Sequence, residues 1–184
     1  MQYISQFFYK NANLKLASLL TAILGAYLAL VMTPQAANFE TSSDNIKSLG
    51  MSFGFSKNDI LTFFQLRTEN MLSAYINFNL IWDSIFALIY GVMYAVWLSL
   101  LLKAYSEKVR ALNLIPFLQV IFDWTENYSL GYLADRYLNN GTIDSNVARL
   151  SSYAAMLKWL CSGLTYAAII VGITYLLVRI VKKN

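Results

Sequence analysis

The chain has 184 residues, of which 58% are hydrophobic and only 13% charged, with a mean hydropathy of +0.48. A soluble domain carries nearer 25% charged residues, so this composition belongs in a membrane. The net charge is +4, histidine is absent and Cys161 is the single cysteine; those counts exclude an internal disulfide, histidine-based catalytic triads, Cys/His pairs and the usual zinc sites.

Basic residues sit at the ends of the apolar runs. Membrane topology and lipid headgroups explain them, and no nucleic-acid partner is expected. No cofactor and no metal are expected either, because the chain has no phosphate-binding or dinucleotide motif. The partners expected are membrane lipid, a small amphiphilic ligand, and an oligomer or complex partner.

In chain order, Tyr3, Ile4, Phe7 and Phe8 suit a short helix lying in the membrane interface. The first predicted span covers about 14–33. Ser18, Thr21, Gly25 and Ala29 give it a small face for helix packing. A long polar connection follows, with Thr41 to Asn45 and Gly50 to Gly54 reading as loop. Ser56 is placed as a helix N-cap with Asp59 in the capping-box position. An amphipathic helix is expected over about 58–77, on the outer side of the bundle.

The second span is expected over about 79–103, with Asn79, Asp83, Phe86, Tyr90 and Trp97 on one face. A short basic turn, Lys103 to Arg110, leads to a third span over about 111–134. Pro116 is expected to kink that span. Residues 135–147 read as a polar loop around Asn139-Asn140-Gly141. The fourth span is expected over about 155–180, with Lys158 snorkelling at its boundary and Gly163 with Ala167 as a small packing pair. The fold expected is all-α, a single polytopic membrane domain over 1–184 built as a four-helix transmembrane bundle.

The third span is unusual. Asp123 lies roughly 18 Å from Ala111 at ~1.5 Å per residue, near the middle of a ~30 Å hydrocarbon core. Asp at a helix centre opposes insertion by roughly 2.5–3.5 kcal/mol. The Leu, Ile, Phe and Val residues from Leu112 to Leu133 favour it by ~3–6 kcal/mol in total. Asp123 and Glu126 together offset most or all of that. Gln119, Asp123, Glu126 and Asn127 fall at i, i+4, i+7 and i+8, one helical stripe. That stripe is expected to face neighbouring helices rather than lipid.

The basic residues hugging the span ends lie on the side of Lys10, Lys103 and Lys182. The positive-inside rule then places both termini in the cytoplasm of a cell inner or plasma membrane. Asp83, Glu126, Asn127 and Lys158 fall in the outer half, with Asp123 beneath them. The site expected is one acidic pocket lined by Asp83, Tyr90, Gln119, Asp123, Glu126, Asn127 and Lys158.

Tyr75, Asp83 and Tyr90, then Pro116, Asp123 and Glu126-Asn127, form a pattern. Over residues 55–130 it resembles small four-span bacterial integral membrane proteins of unassigned function that carry D-x-x-E-N inside a span. The resemblance implies the four-span fold and the polar site; it implies no activity. Three readings of function stay open. The pocket binds a lipid headgroup or small amphiphilic ligand. It works as an intramembrane acid/base enzyme, isomerase-like, on an apolar substrate. Or the acids are satisfied by a partner helix in a larger membrane complex.

Overall fold

The computed structural model describes residues 2–40, 48–103 and 107–182. The polar stretch Thr41 to Asn45 lies outside them. Among the described residues every regular element is helical. α1 spans Gln2–Asn11 and α2 spans Leu14–Ala36. α3 is Lys57–Gln65, α4 is Glu69–Leu101, α5 is Ile115–Asn140 and α6 is Ser145–Val181.

Three of these helices, α2, α4 and α6, are long and apolar enough to cross a membrane. Leu19, Ile23 and Leu30 on α2, and Leu160, Leu164, Ile170 and Val171 on α6, are exposed. Such continuous apolar faces are liabilities in water and belong against hydrocarbon. α5 is 26 residues long, but Gln119, Asp123, Glu126 and Asn127 interrupt its apolar run. It lies between α4 and α6 and packs on both. Gly91 permits the close approach to α4, because a Cβ there would collide with Val120 Cγ2, whose χ1 is stiff from β-branching.

Several boundaries differ from the sequence reading. The helix expected over 58–77 is two helices. Leu66 ends α3, and Thr68 starts α4 by accepting the Met71 N–H. α4 then runs unbroken through the second span. Ser56 and Asp59 do form a reciprocal capping box. The Ser56 backbone N–H and hydroxyl hold the Asp59 carboxyl below the usual range. Pro116 does not kink the helix expected as the third span; it sits in the first turn of α5, where its missing N–H is harmless. The expected 135–147 loop is mostly helix. α5 continues to Asn140 and stops at Gly141, whose φ of 65° is the left-handed conformation a C-cap needs. Gly25 and Gly163 make no close packing, since a Cβ at either would meet nothing within 4 Å; of the expected small face on α2, Thr21 does meet α4, where it accepts from Trp97. The close approach on α6 is instead Gly172, against Leu101.

Two clusters pin the ends of the bundle. At one end Phe39, Phe63 and Phe64 surround Tyr75, with Phe39 and Phe63 rings centred 5.1 and 4.9 Å from it. Arg67 lies over Phe63 and donates to the Phe39 carbonyl at 2.8 Å. These contacts hold the chain after α2 across the top of the bundle. At the other end Asn113 accepts from Ser5 Oγ and donates to Ser99 Oγ, both at 2.8 Å. That network ties α1 to α4 and to the turn before α5.

Candidate functional site

The site begins with the i, i+3 pair on α5. Asp123 and Glu126 face α6 and are 4% and 0% exposed. Lys158 answers them from α6. It does not snorkel; it turns inward and is 8% exposed. The physical reason is the cost of two buried carboxylates without a cation, which exceeds any gain from placing one ammonium at an interface. An ammonium has three donors, and three acceptors surround Nζ. They are Glu126 Oε2 at 2.5 Å, Asp123 Oδ1 at 3.4 Å and the Gly50 carbonyl at 3.0 Å. Nζ also lies 5.6 Å from the Trp159 ring centroid. The second Asp123 oxygen accepts from the Tyr90 hydroxyl at 2.7 Å. One chain of contacts therefore joins α4, α5, α6 and the Gly50 segment.

Not every polar atom here is satisfied. Glu126 Oε1, both amide atoms of Asn127, Gln119 Oε1 and the Tyr75 hydroxyl are buried without a hydrogen-bond partner. The Asn127 amide is directed at Asp83 without a bond of good geometry. Asp83 has no cation within 4 Å among the described residues and is only partly buried.

Asp83 borders a cavity of about 330 Å³. That volume falls in the ~300–1,000 Å³ range of small-molecule sites. Asp83, Gln119, Asp123 and Lys158 supply its polar wall. Phe86, Tyr90, Tyr94, Trp159 and Tyr166 supply an aromatic wall. Leu24, Leu28 and Met32 of α2 close the opposite side. Phe39, Glu40, Ser48, Gly50 and Met51 form the roof. Glu126 and Asn127 stand behind this surface. They belong to the charge network but do not line the cavity, which is a correction to the expected lining.

Two π-helical turns shape the cavity, Leu28–Met32 in α2 and Phe78–Asp83 in α4. Each widens its helix by one residue and disturbs the i to i+4 ladder. Side chains take up the displaced carbonyls. Thr33 Oγ1 donates to Leu28 O at 3.0 Å, and Ser84 Oγ to Asn79 O at 3.0 Å. Tyr27 donates to Trp82 O at 3.0 Å and Trp124 Nε1 to Ser84 O at 2.9 Å. Asn79 and Asp83 are presented to the cavity from that wider turn. Trp97, placed on the same face by spacing, lies elsewhere and donates to Thr21 on α2 at 3.0 Å.

The sequence reading missed Tyr94, Trp159 and Tyr166. Tyr90 and Tyr94 are one turn apart on α4, so the signal was available for Tyr94. Tyr94 and Tyr166 meet across the cavity with hydroxyls 3.1 Å apart. It also missed Gly50, because nothing in a loop sequence marks a backbone carbonyl as a ligand for lysine. No group of three metal-ligating side chains is assembled among the described residues. Comparison with protein-family models, with curated proteins and with solved structures returns no match, so what this site does is argued from its own geometry.

Proposed function

We propose that the protein is a four-span membrane protein whose bundle binds a lipid headgroup or small amphiphilic ligand. In this reading α5 spans the membrane along with α2, α4 and α6, carried into the bilayer by its contacts with α4 and α6. The resemblance to small four-span bacterial membrane proteins fits the same arrangement. One observation carries the proposal: a cavity of about 330 Å³ has charge on one wall and rings and aliphatic side chains on the others. An amphiphile has that division of polarity. Substituting Ser162, which is 3% exposed and borders the cavity, tests it. Detergent-purified protein is expected to bind dodecyl-chain amphiphiles saturably, and Ser162→Trp to lose that binding while staying monodisperse. Equal, non-saturating uptake by both proteins would sink the reading.

The same proposal places the cavity in the outer half of an inner or plasma membrane with both termini cytoplasmic. Basic side chains around Lys103, and their relative scarcity at the other end, support that orientation. Asn139 and Lys103 are both exposed and lie at opposite ends of the bundle. In a Cys161→Ser background, a cysteine at Asn139 is expected to react with an impermeant maleimide on intact cells. One at Lys103 is expected to react only after lysis. The reverse pattern would invert the assignment.

A second reading, an acid/base enzyme acting on an apolar substrate, is favoured by the Tyr90–Asp123 hydrogen bond at the cavity wall. That contact places a transferable proton beside the space a substrate would fill. Product formation lost on Asp123→Asn, with binding retained, separates it from the first.

A further inference from the structure

Four charged side chains border the cavity: Glu40, Asp83, Asp123 and Lys158. Carboxylates thus outnumber the ammonium. The ammonium is also spent. Its three donors are directed at Glu126, Asp123 and the Gly50 carbonyl, which leaves none for a phosphate or a carboxylate on a ligand. Asp83 and Glu40, by contrast, have no cation within 4 Å among the described residues.

The neutral lining groups have the same bias. Gln119 is 6% exposed and borders the cavity, and its Oε1 has no donor. Tyr75 is 1% exposed and borders it as well, and its unpartnered hydroxyl can accept as well as donate. Buried acceptors left open are costly in an apolar interior and are filled by a donor when one is present. The rings of Phe86, Tyr90 and Tyr94 add negative π faces to the lining, a surface that attracts cations. Acidic oxygens, open acceptors and ring faces all favour a positively charged group that carries N–H.

The rest of the cavity fixes what that group is attached to. α2 packs on α4 and makes no extensive contact with α6. Leu24 and Leu28 on α2 and Ser162 and Tyr166 on α6 therefore face each other across a gap. Leu28 and Tyr166 are 49% and 45% exposed, so the gap opens sideways at the level of apolar surface. A hydrocarbon chain fits that slot.

We infer that the ligand is an amphiphile with a protonated amine head, seated between Asp83 and the Phe86–Tyr90–Tyr94 rings, its chain leaving between α2 and α6. This rests on the amphiphile-pocket reading above and narrows it to one head chemistry.

The experiment uses four probes of one chain length: dodecylamine, dodecyltrimethylammonium, dodecyl phosphate and dodecanol. Saturable binding to the full chain in nanodiscs of choline lipid is measured with labelled probes. Dodecylamine is expected to bind roughly tenfold or more tighter than dodecanol, from one charge-assisted hydrogen bond. The trimethylammonium probe, which lacks N–H, should fall between them, and the phosphate should be weakest. Asp83→Asn should bring dodecylamine down to the level of dodecanol measured on the same variant. Nanodiscs containing aminoethyl phospholipid distinguish the source of the amine: competition there assigns it to the membrane, and no competition to a free amine. Equal affinity for dodecylamine and dodecanol in the wild type overturns this inference and leaves the pocket standing. Saturable binding of none of the probes overturns both. If Asp83→Asn does not fold, the wild-type ranking alone decides, and an amine no better than the alcohol overturns the inference.

Discussion

Lys158→Met is expected to destabilise the protein more than any other single change at the site, by about 3–5 kcal/mol. The substitution keeps the length and apolar stem of the side chain and removes the ammonium. Glu126 is then a fully buried carboxylate whose nearest cation is gone, and Asp123 loses one of its two partners. The Gly50 carbonyl loses its donor too, which frees the segment roofing the cavity. A loss of that size lowers Tm by roughly 6–20 °C for a chain of this length. Glu126→Gln in the same background should recover more than half of it, because most of the cost is the stranded charge rather than the lost bond. A Lys158→Met protein melting within about 2 °C of the wild type would show that the network does not hold these helices together.

The place of Lys158 is only partly written in the sequence. Lys158 was legible as a cation at the depth of the acids, but spacing alone favoured a snorkeller. The choice was decided by Glu126 and Asp123 on the neighbouring helix, a tertiary fact. The stripe of Gln119, Asp123, Glu126 and Asn127 was readable because helical periodicity puts those four on one side of any helix. Which of them reach the cavity was not, because that depends on the rotation of α5 between α4 and α6. The apolar runs marked α2, α4 and α6 clearly, since hydropathy is a local property. The ends were harder. Asp135, Arg136, Asn139 and Asn140 read as loop by polarity, yet they extend α5, because a helix that emerges from the apolar layer continues until a residue such as Gly141 stops it. The two π-helical turns left no mark in composition. They depend on carbonyls being met by Thr33, Ser84, Tyr27 and Trp124, two of which act on another helix. The long helix over 69–101 hid the boundary expected at 78 for a related reason: with its carbonyls re-satisfied, a helix passes through a polar stretch without ending.

The second large effect is expected at Asp123, and there two substitutions divide structure from function. Asp123 Oδ2 accepts from the Tyr90 hydroxyl, and Tyr90 is only 5% exposed. Asp123→Leu leaves that hydroxyl without an acceptor in an apolar place, a cost of about 1–3 kcal/mol. Lys158 keeps Glu126 and the Gly50 carbonyl, so the loss should stay below that of Lys158→Met. Asp123→Asn retains an oxygen for Tyr90 and has nearly the same volume. Its amide nitrogen faces a lysine that offers only donors, so a smaller loss of about 1 kcal/mol is expected. The variant should fold, and thermal unfolding should rank the three in the order Asp123→Asn, Asp123→Leu, Lys158→Met. Function should not follow that order. Asp123→Asn removes one carboxylate charge from a wall that already has one uncompensated acid, while the Tyr90 hydroxyl keeps an acceptor. Affinity for an amine-headed amphiphile is therefore expected to fall roughly tenfold in a protein that is still well folded. If the asparagine variant binds as the wild type does while the leucine variant unfolds, Asp123 is a tie between helices and the ligand is held by Asp83 alone.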